Sequence, residues 1–383
     1  MKRLANIITV RVSLVIFLAV VITFPLSCSK KQPETKEITI GCITPLTGNN
    51  ASYGRQTKEG VDLAVEEINA QGGINGRNIA IIYEDDQANT ALATETIHKL
   101  INSTQIQVVI GGFNSRCTLA MAPIAERNKV VLISASSTAD DIKDAGDYIF
   151  RIVPTNSAQG KTIADFAIDN LKLRSAAILY VNDDYGITLK DGIISHFKTK
   201  GGVIKIIEVF SPDDTDFRSQ LTKIKAEGVN VIFFPGLYRE CGLILRQARE
   251  LGIDLPFIGG DGAIDPKLIE IAKEAADNSY YANLSMGYGV SDAEIKGFVN
   301  AFIEKYEKQP SAYNSYAYDV VYVIVEAINK GGLSAKGIKD ALYRIEGFKG
   351  ATGITTFDSY GEVDKPFGIY RIVNGEFVAE SEL

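Results

Sequence analysis

The chain is predicted to fold as an α/β protein of two doubly wound parallel-sheet lobes joined by three hinge crossings, and three observations predict it. Short β-branched runs alternate with longer helical patterns, which implies parallel strands covered by helices on both faces. The alternation starts again near Ala176, so there are two such sheets. At 383 residues, 46% hydrophobic and 23% charged, the composition is that of a folded protein, and the length exceeds the about 250 to 300 residues that one core usually serves.

The elements follow in order. Lys2, Arg3 and Arg11 flank the start of an uncharged run from Val12 to Leu26. That run, about fifteen residues, is short for a membrane span, and the basic-then-apolar layout reads as a secretory signal over residues 1–27. Ser27 places a small residue before Cys28, and residues 28–36 form a polar tether. This resembles a bacterial lipoprotein signal, with Pro25 standing where the usual pattern has Leu, and lipid attachment at Cys28 is expected. Loss of the signal leaves 37 basic against 47 acidic side chains, a net charge of −10. A polyanionic partner such as nucleic acid is therefore not expected.

Strands are predicted at Ile38–Ile43, Asn78–Tyr83, Gln107–Gly111 and Val130–Ser134, with helices at Gly54–Gln71, Ala91–Asn102 and Thr118–Arg127 between them. The second series has strands at Ala176–Val181, Val203–Val209, Val229–Phe234 and Pro256–Gly259, with helices at Tyr185–Lys200, Phe217–Glu227 and Gly242–Leu251. A weak internal echo links the halves. Gly72, Gly73, Asp85, Asp86, Lys99 and Gly112 are followed about 125 residues later by Gly201, Gly202, Asp213, Asp214, Lys223 and Gly236, the spacing of two βαβ series that share their turn chemistry.

Helices at Asp292–Lys308, Tyr313–Asn329 and Ser334–Ile345 come next, and strand-like sequence from Gly353 to Val378 closes the chain. This third region is too small for a domain of its own. Lobe 1 is accordingly expected over 37–155 and 285–355, lobe 2 over 156–284 and 356–383, with crossings near 154–157, 282–286 and 354–358.

The turns after strands carry no Gly-x-Ser-x-Gly elbow, no Gly-x-x-x-x-Gly-Lys-Ser/Thr phosphate loop and no Gly-x-Gly-x-x-Gly dinucleotide turn. His98 and His196 lie inside helical patterns without a spaced partner, so neither a catalytic base nor a metal site is expected, and no cofactor. The acid pairs Asp85, Asp86 and Asp183, Asp184 at strand ends read as caps of the next helix. An enzyme is not expected. Export makes disulfides permissible, and pairing among Cys42, Cys117 and Cys241 is left open.

The strand ends carry hydroxyls instead. One turn reads Gly111, Gly112, Phe113, Asn114, Ser115 and the next Ser134, Ala135, Ser136, Ser137, Thr138. In open parallel sheets ligands bind at the carboxyl ends of strands, and two such turns on adjacent strands suit a carboxylate, although each hydroxyl alone also suits a helix cap. The matching turn of the second half reads Gly259, Gly260, Asp261, Gly262.

Nearly all of the chain after the tether resembles the periplasmic amino-acid-binding proteins of branched-chain amino acid ABC transporters, which have the type I periplasmic fold. The resemblance rests on Pro45–Gly48 followed by Tyr53 and Gly54, on Glu67–Asn69 and Gly72–Gly76, and on Leu245–Arg249, with Tyr185, Gly186, Tyr318 and Asp319 also in place. It implies that hydroxyls at Ser115 and Thr138 bind an amino acid's carboxylate, and that the backbone near Ser136 and the acid Asp261 take its ammonium. Tyr53 and Tyr185 match aromatic residues lining the cleft. Some members have an aromatic at the position of Leu237, whereas here it comes one residue later, at Tyr238, and members commonly have Glu where this chain has the shorter Asp261.

The resemblance further implies an extracytoplasmic, lipid-anchored binding protein, periplasmic or at the cell surface. It would capture an aliphatic, branched-chain type of amino acid and deliver it to ABC permease subunits in the inner membrane. A receptor for amides, urea or another small carboxylate, and a ligand-sensing subunit, are the alternatives.

Overall fold

A computed structural model describes residues 37–285 and 292–380. The signal and tether segments, with Cys28, lie outside the described residues, as does part of the second expected crossing.

The first sheet holds β1 (Ile38–Thr44), β2 (Ile79–Asp85), β3 (Val108–Ile110), β4 (Val131–Ser134) and β5 (Ile149–Arg151) in the order β2-β1-β3-β4-β5, all parallel. The second is built from β6 (Ser175–Val181), β7 (Val203–Phe210), β8 (Val231–Phe233), β9 (Phe257–Gly259) and β10 (Ser279–Leu284). Its parallel part runs β7-β6-β8-β9-β10, the same order as the first sheet. A two-stranded hairpin, β11 (Phe348–Gly350) with β12 (Gly353–Thr355), stands apart. The closing strands follow antiparallel, β13 (Phe367–Val373) on β10 and β14 (Glu376–Ala379) on β13.

Strands of the sheet centres are buried on both faces, which explains why they read as continuous apolar runs: Val108–Ile110, Val131–Leu132 and Val231–Phe233 are all 1% exposed or less. Helices Ala51–Ala70, Thr90–Thr104 and Ser115–Asn128 serve the first sheet, and Asp184–Thr199, Arg218–Ala226 and Tyr238–Glu250 the second. The helix Ala312–Gly331 packs along Ala51–Ala70, placing the late helical region against the first sheet's helices. Its start is fixed by a capping box between Ser311 and Asn314, and Tyr313 in its first turn reaches the second sheet's turn.

The internal echo lands on equivalent places. Lys99 pairs with Glu84 at the end of β2 at 2.8 Å, and Lys223 pairs with Glu208 near the end of β7 at 3.0 Å. Three expected helices begin three or four residues earlier than the apolar periodicity suggests, at Ala51, Ser115 and Tyr238. Only the second of these has a side-chain cap, Asn114; at Ala51 and Tyr238 the first turn forms without one, and in none of the three does the apolar pattern register it. Asp183 does cap its helix, accepting from Gly186 N–H at 2.9 Å. The reading of Asp85 and Asp86 as caps needs correction. Asn89 caps Thr90–Thr104, while Asp85 takes the N–H groups of Leu46 and Thr47, and Asp86 that of Ala88.

Candidate functional site: the cleft between the two sheets

At the end of β3 the helix cap is Asn114, whose side chain accepts from Cys117 N–H at 2.9 Å. Ser115 is thereby released from capping. Its hydroxyl accepts the N–H of Ala139 at 3.1 Å, tying this turn to the one after β4, and a hydroxyl used as an acceptor still has its proton to donate. The second turn is stitched by its own hydroxyls. Ser134 Oγ accepts from Ser137 N–H and donates to Gly112 O, Ser136 Oγ donates to Phe113 O, and Ser137 Oγ reaches Gly112 O and the Thr118 hydroxyl. Thr138 is different. Its Oγ1 is buried with no hydrogen-bond partner among the described residues, a costly arrangement in a turn where every neighbouring hydroxyl is used.

Across the cleft Asp261 follows β9 and is 2% exposed. Its carboxylate accepts from Gln159 Nε2 at 2.9 Å and from the Tyr185 hydroxyl at 3.1 Å. Burial pushes its pKa up to about 6, outweighing those two hydrogen bonds. Asp261 caps no helix, since Asp265 performs that task for Pro266–Ala272. Gly260 is required by close approach: a Cβ there would lie 2.4 Å from the Tyr185 hydroxyl oxygen and 2.7 Å from Gln159 Oε1, the side chains that hold the acid.

Phe113, Asn114, Ser115 and Ser136 from the first sheet meet Asp183, Tyr185, Leu237, Asp261 and Gly262 from the second, with Tyr313 at the side. They close on a cavity of about 20 Å³, room for one water, so anything larger can enter only if the walls part. Cavities of about 510 and 660 Å³ lie elsewhere, the first beside Pro154 and Phe357, the second beside Tyr318 and Phe348, but neither joins the strand ends of both sheets.

Of the expected site residues, Ser115, Ser136, Tyr185, Leu237 and Asp261 line the cavity. Thr138 lies in the same turn as Ser136 but is not among the lining residues. Tyr53 and Tyr238 also sit outside that lining. Tyr53 stacks on Phe113 with ring centroids 4.2 Å apart, and its hydroxyl donates to Gly262 O and accepts from Tyr238 N–H at 3.1 Å. It thus ties a helix of the first sheet to the turns of the second. Tyr238 donates to Asn49 O, again from one sheet's side to the other. Gln159 and Tyr313 are residues the sequence reading missed: Gln159 holds the Asp261 carboxylate, and the Tyr313 hydroxyl donates to Asp261 O at 2.9 Å. The helix that carries Tyr313 is the one expected at Tyr313–Asn329, but nothing in that pattern singles out its first residue as a partner of Asp261.

Cys42, Cys117 and Cys241 are free buried thiols. No group of three or more metal-ligating side chains, and no helix long and apolar enough to cross a membrane, occurs among the described residues.

A sequence model described as periplasmic binding protein matches residues 37–376. The chain belongs to the periplasmic binding protein family. The Leu/Ile/Val-binding protein homolog 2 of Brucella abortus (strain 2308) is 31% identical over 345 residues, 89% of this chain and 91% of that one. Among solved structures, the branched-chain amino acid transporter substrate binding protein LivJ of Streptococcus pneumoniae, in complex with isoleucine, superposes with a TM-score of 0.83 at 34% identity, covering 90% of this chain and 99% of that one. The leucine binding protein LivK of Thermotoga maritima gives a TM-score of 0.86 at 30% identity over 90% of this chain and 97% of its own. Periplasmic binding proteins are substrate-binding proteins rather than an enzyme family, and the family is extracytoplasmic.

Proposed function

We propose that this protein is the solute-binding subunit of an ABC transporter and captures an aliphatic amino acid, of the branched-chain type, between two closing lobes. The observation that carries the reading is the placement of a buried carboxylate, Asp261, and a turn hydroxyl, Ser115, on opposite walls of one cavity. A zwitterion has one charge for each wall. Its carboxylate is held by Ser115 and Thr138, its ammonium by Asp261 with the backbone near Ser136, and its side chain lies among Phe113, Tyr185, Leu237 and Tyr313. Tyr53 and Tyr238 latch the walls together from behind. The isoleucine carried by the LivJ structure and the names of the other relatives support this ligand class.

Binding and closure are then one event, because only a ligand with both charges engages both walls. The lobes are 37–155 with 285–355, and 156–284 with 356–383. Cys28 carries the lipid that keeps the protein at the membrane beside its permease, and mass spectrometry of the native N-terminus checks this: an unmodified product cut elsewhere would refute it. Calorimetric titration with leucine, isoleucine, valine and their 2-hydroxy analogues tests the ligand. The amino acids should bind at least about a hundredfold more tightly, since loss of the ammonium leaves Asp261 buried and unpaired. Equal affinity for the two series would overturn the reading in favour of an acid or amide receptor.

A further inference from the structure

Arg151 ends β5 directly opposite Ser134 in the parallel register of β4, and its side chain is fully buried. Its guanidinium does not face an apolar core. Nη1 donates to Ala139 O at 2.7 Å and to Ser137 O at 3.4 Å, gripping the carbonyls on either side of Thr138. Nη2 lies 2.5 Å from Glu362 Oε1, in an ion pair only 10% exposed on the acid's side. Glu362 belongs to the segment between β12 and β13. That segment is itself held by Asp358, which accepts the N–H groups of Tyr360 and Glu362, and by Gly361 O, which accepts the N–H of Arg151 at 3.2 Å. On its other flank the turn is tied to the segment after β5: Asn156 N–H donates to Thr138 O at 2.7 Å, and Ser157 Oγ donates to Asp140 at 2.9 Å.

The turn that carries Thr138 is therefore clamped to both stretches of chain that lead from the first sheet to the second. We propose that Arg151 is a positioning residue for ligand capture: through the Ser137 and Ala139 carbonyls it holds Thr138 in place for the ligand's carboxylate, and through Glu362 it registers that turn to the segment entering β13. The inference rests on the carboxylate reading of Thr138 given above. Arginine is suited to the task because one planar group has enough donors to serve two carbonyls and a carboxylate at once. Lysine is a single point charge on a flexible stem and serves one of them well.

The test is a double-mutant cycle in the full-length protein, with dissociation constants for the tightest-binding of leucine, isoleucine and valine measured by calorimetry. Arg151→Lys should weaken binding about tenfold and Arg151→Met about a hundredfold, the range set by loss of charge-assisted hydrogen bonds. Because Arg151 acts through Thr138, its loss should be largely absorbed in a Thr138→Val background, where Arg151→Lys adds less than about threefold, and should persist undiminished in an Asp261→Asn background. A purely structural ion pair would weaken all backgrounds alike. Should Arg151→Met fail to fold, Arg151→Lys and Glu362→Gln, which keep side-chain size, carry the same cycle, and each should show the same dependence on Thr138. Arg151→Lys with native affinity beside a weakened Thr138→Val, or losses that multiply in the Thr138→Val background, would overturn this inference alone. A Thr138→Val protein that binds as the native one does would overturn the carboxylate reading and the inference with it.

Discussion

The turns that end β4 and β9 occupy the same place in two sheets of the same strand order, and they are built from opposite materials. After β4 the chain offers only neutral hydroxyls, most of them spent on tying the turn to itself and to Gly112 and Phe113. After β9 it buries one carboxylate, held by Gln159 and Tyr185, at a cost visible in a pKa raised to about 6. A net of neutral hydrogen bonds fixes geometry without electrostatic strain, whereas a buried charge stores a need for a cation. If the proposed site is right, the first turn should set where a ligand sits and the second whether it is stable there.

The largest expected effect follows from that asymmetry. Asp261→Ala should abolish measurable binding of an aliphatic amino acid, a loss of about 3 to 5 kcal/mol, because the ligand's ammonium would be buried without a partner. Calorimetry on the variant checks it, with circular dichroism to confirm the fold. Binding within tenfold of native would place the ammonium elsewhere and dissolve the contrast between the turns.

The same residue should act in the opposite direction on ligand-free stability. An unfolded aspartate keeps its proton only below about 3.8, whereas folded Asp261 keeps it up to about 6. Between those values the folded state holds the extra proton, so stability falls as pH rises from about 4 to 6 and remains lower above. Asp261→Asn removes the charge while keeping an acceptor for Gln159 and Tyr185, and should raise ligand-free stability at pH 8 by roughly 2 to 3 kcal/mol. Thermal melts at pH 8 and pH 4.5 check this: the gain should be large at the first and fall to about a third of that at the second. In the native protein affinity for the amino acid should fall as pH drops below about 6, where the free protein's Asp261 is protonated.

Thr138→Val probes the neutral side of the comparison. It replaces a hydroxyl with no partner among the described residues by a methyl of similar size, so the cost to ligand-free stability should be small. Loss of a charge-assisted hydrogen bond to the ligand should nevertheless weaken binding about ten- to a hundredfold. Unchanged affinity by calorimetry would mean that the Ser115 turn alone holds the carboxylate.

Much of this arrangement is legible in the sequence because it is local. The β-branched runs, the paired glycines before β2 and β7, the hydroxyl-rich turns and the glycine-flanked Asp261 all announce themselves within a few residues. What could not be read is what acts at a distance. Gln159 lies in a polar helix, Asn156–Asp165, whose sequence gives no apolar stripe, because its inner face is made by close approach: a Cβ on Gly160 would lie 2.5 Å from the backbone of Gly192. Its partner Asp261 is 102 residues away. β10 escaped for a different reason. Ser279–Leu284 contains no β-branched residue and owes its strand to pairing on both sides, with β9 and with β13. Asn114 takes the cap that Ser115 would otherwise fill, and only the folded structure decides between neighbours of equal propensity.

The smallest expected effect lies where the two halves agree. Lys99 with Glu84 and Lys223 with Glu208 are the same pair repeated in each sheet, and a repeated feature invites a functional reading. The physics argues otherwise. The two lysines are 62% and 57% exposed, so solvent screens both pairs and the ordering of a long side chain offsets most of the attraction. Lys99→Ala and Lys223→Ala should each change stability by less than about 1 kcal/mol and leave affinity for the amino acid unaltered. Denaturant titration and calorimetry on the two single variants and the double variant check this, and the double should be the sum of the singles, since the pairs belong to different sheets and share no partner. A loss of affinity from either lysine would show that the common scaffold, and not only the contrast between its two turns, takes part in holding the ligand.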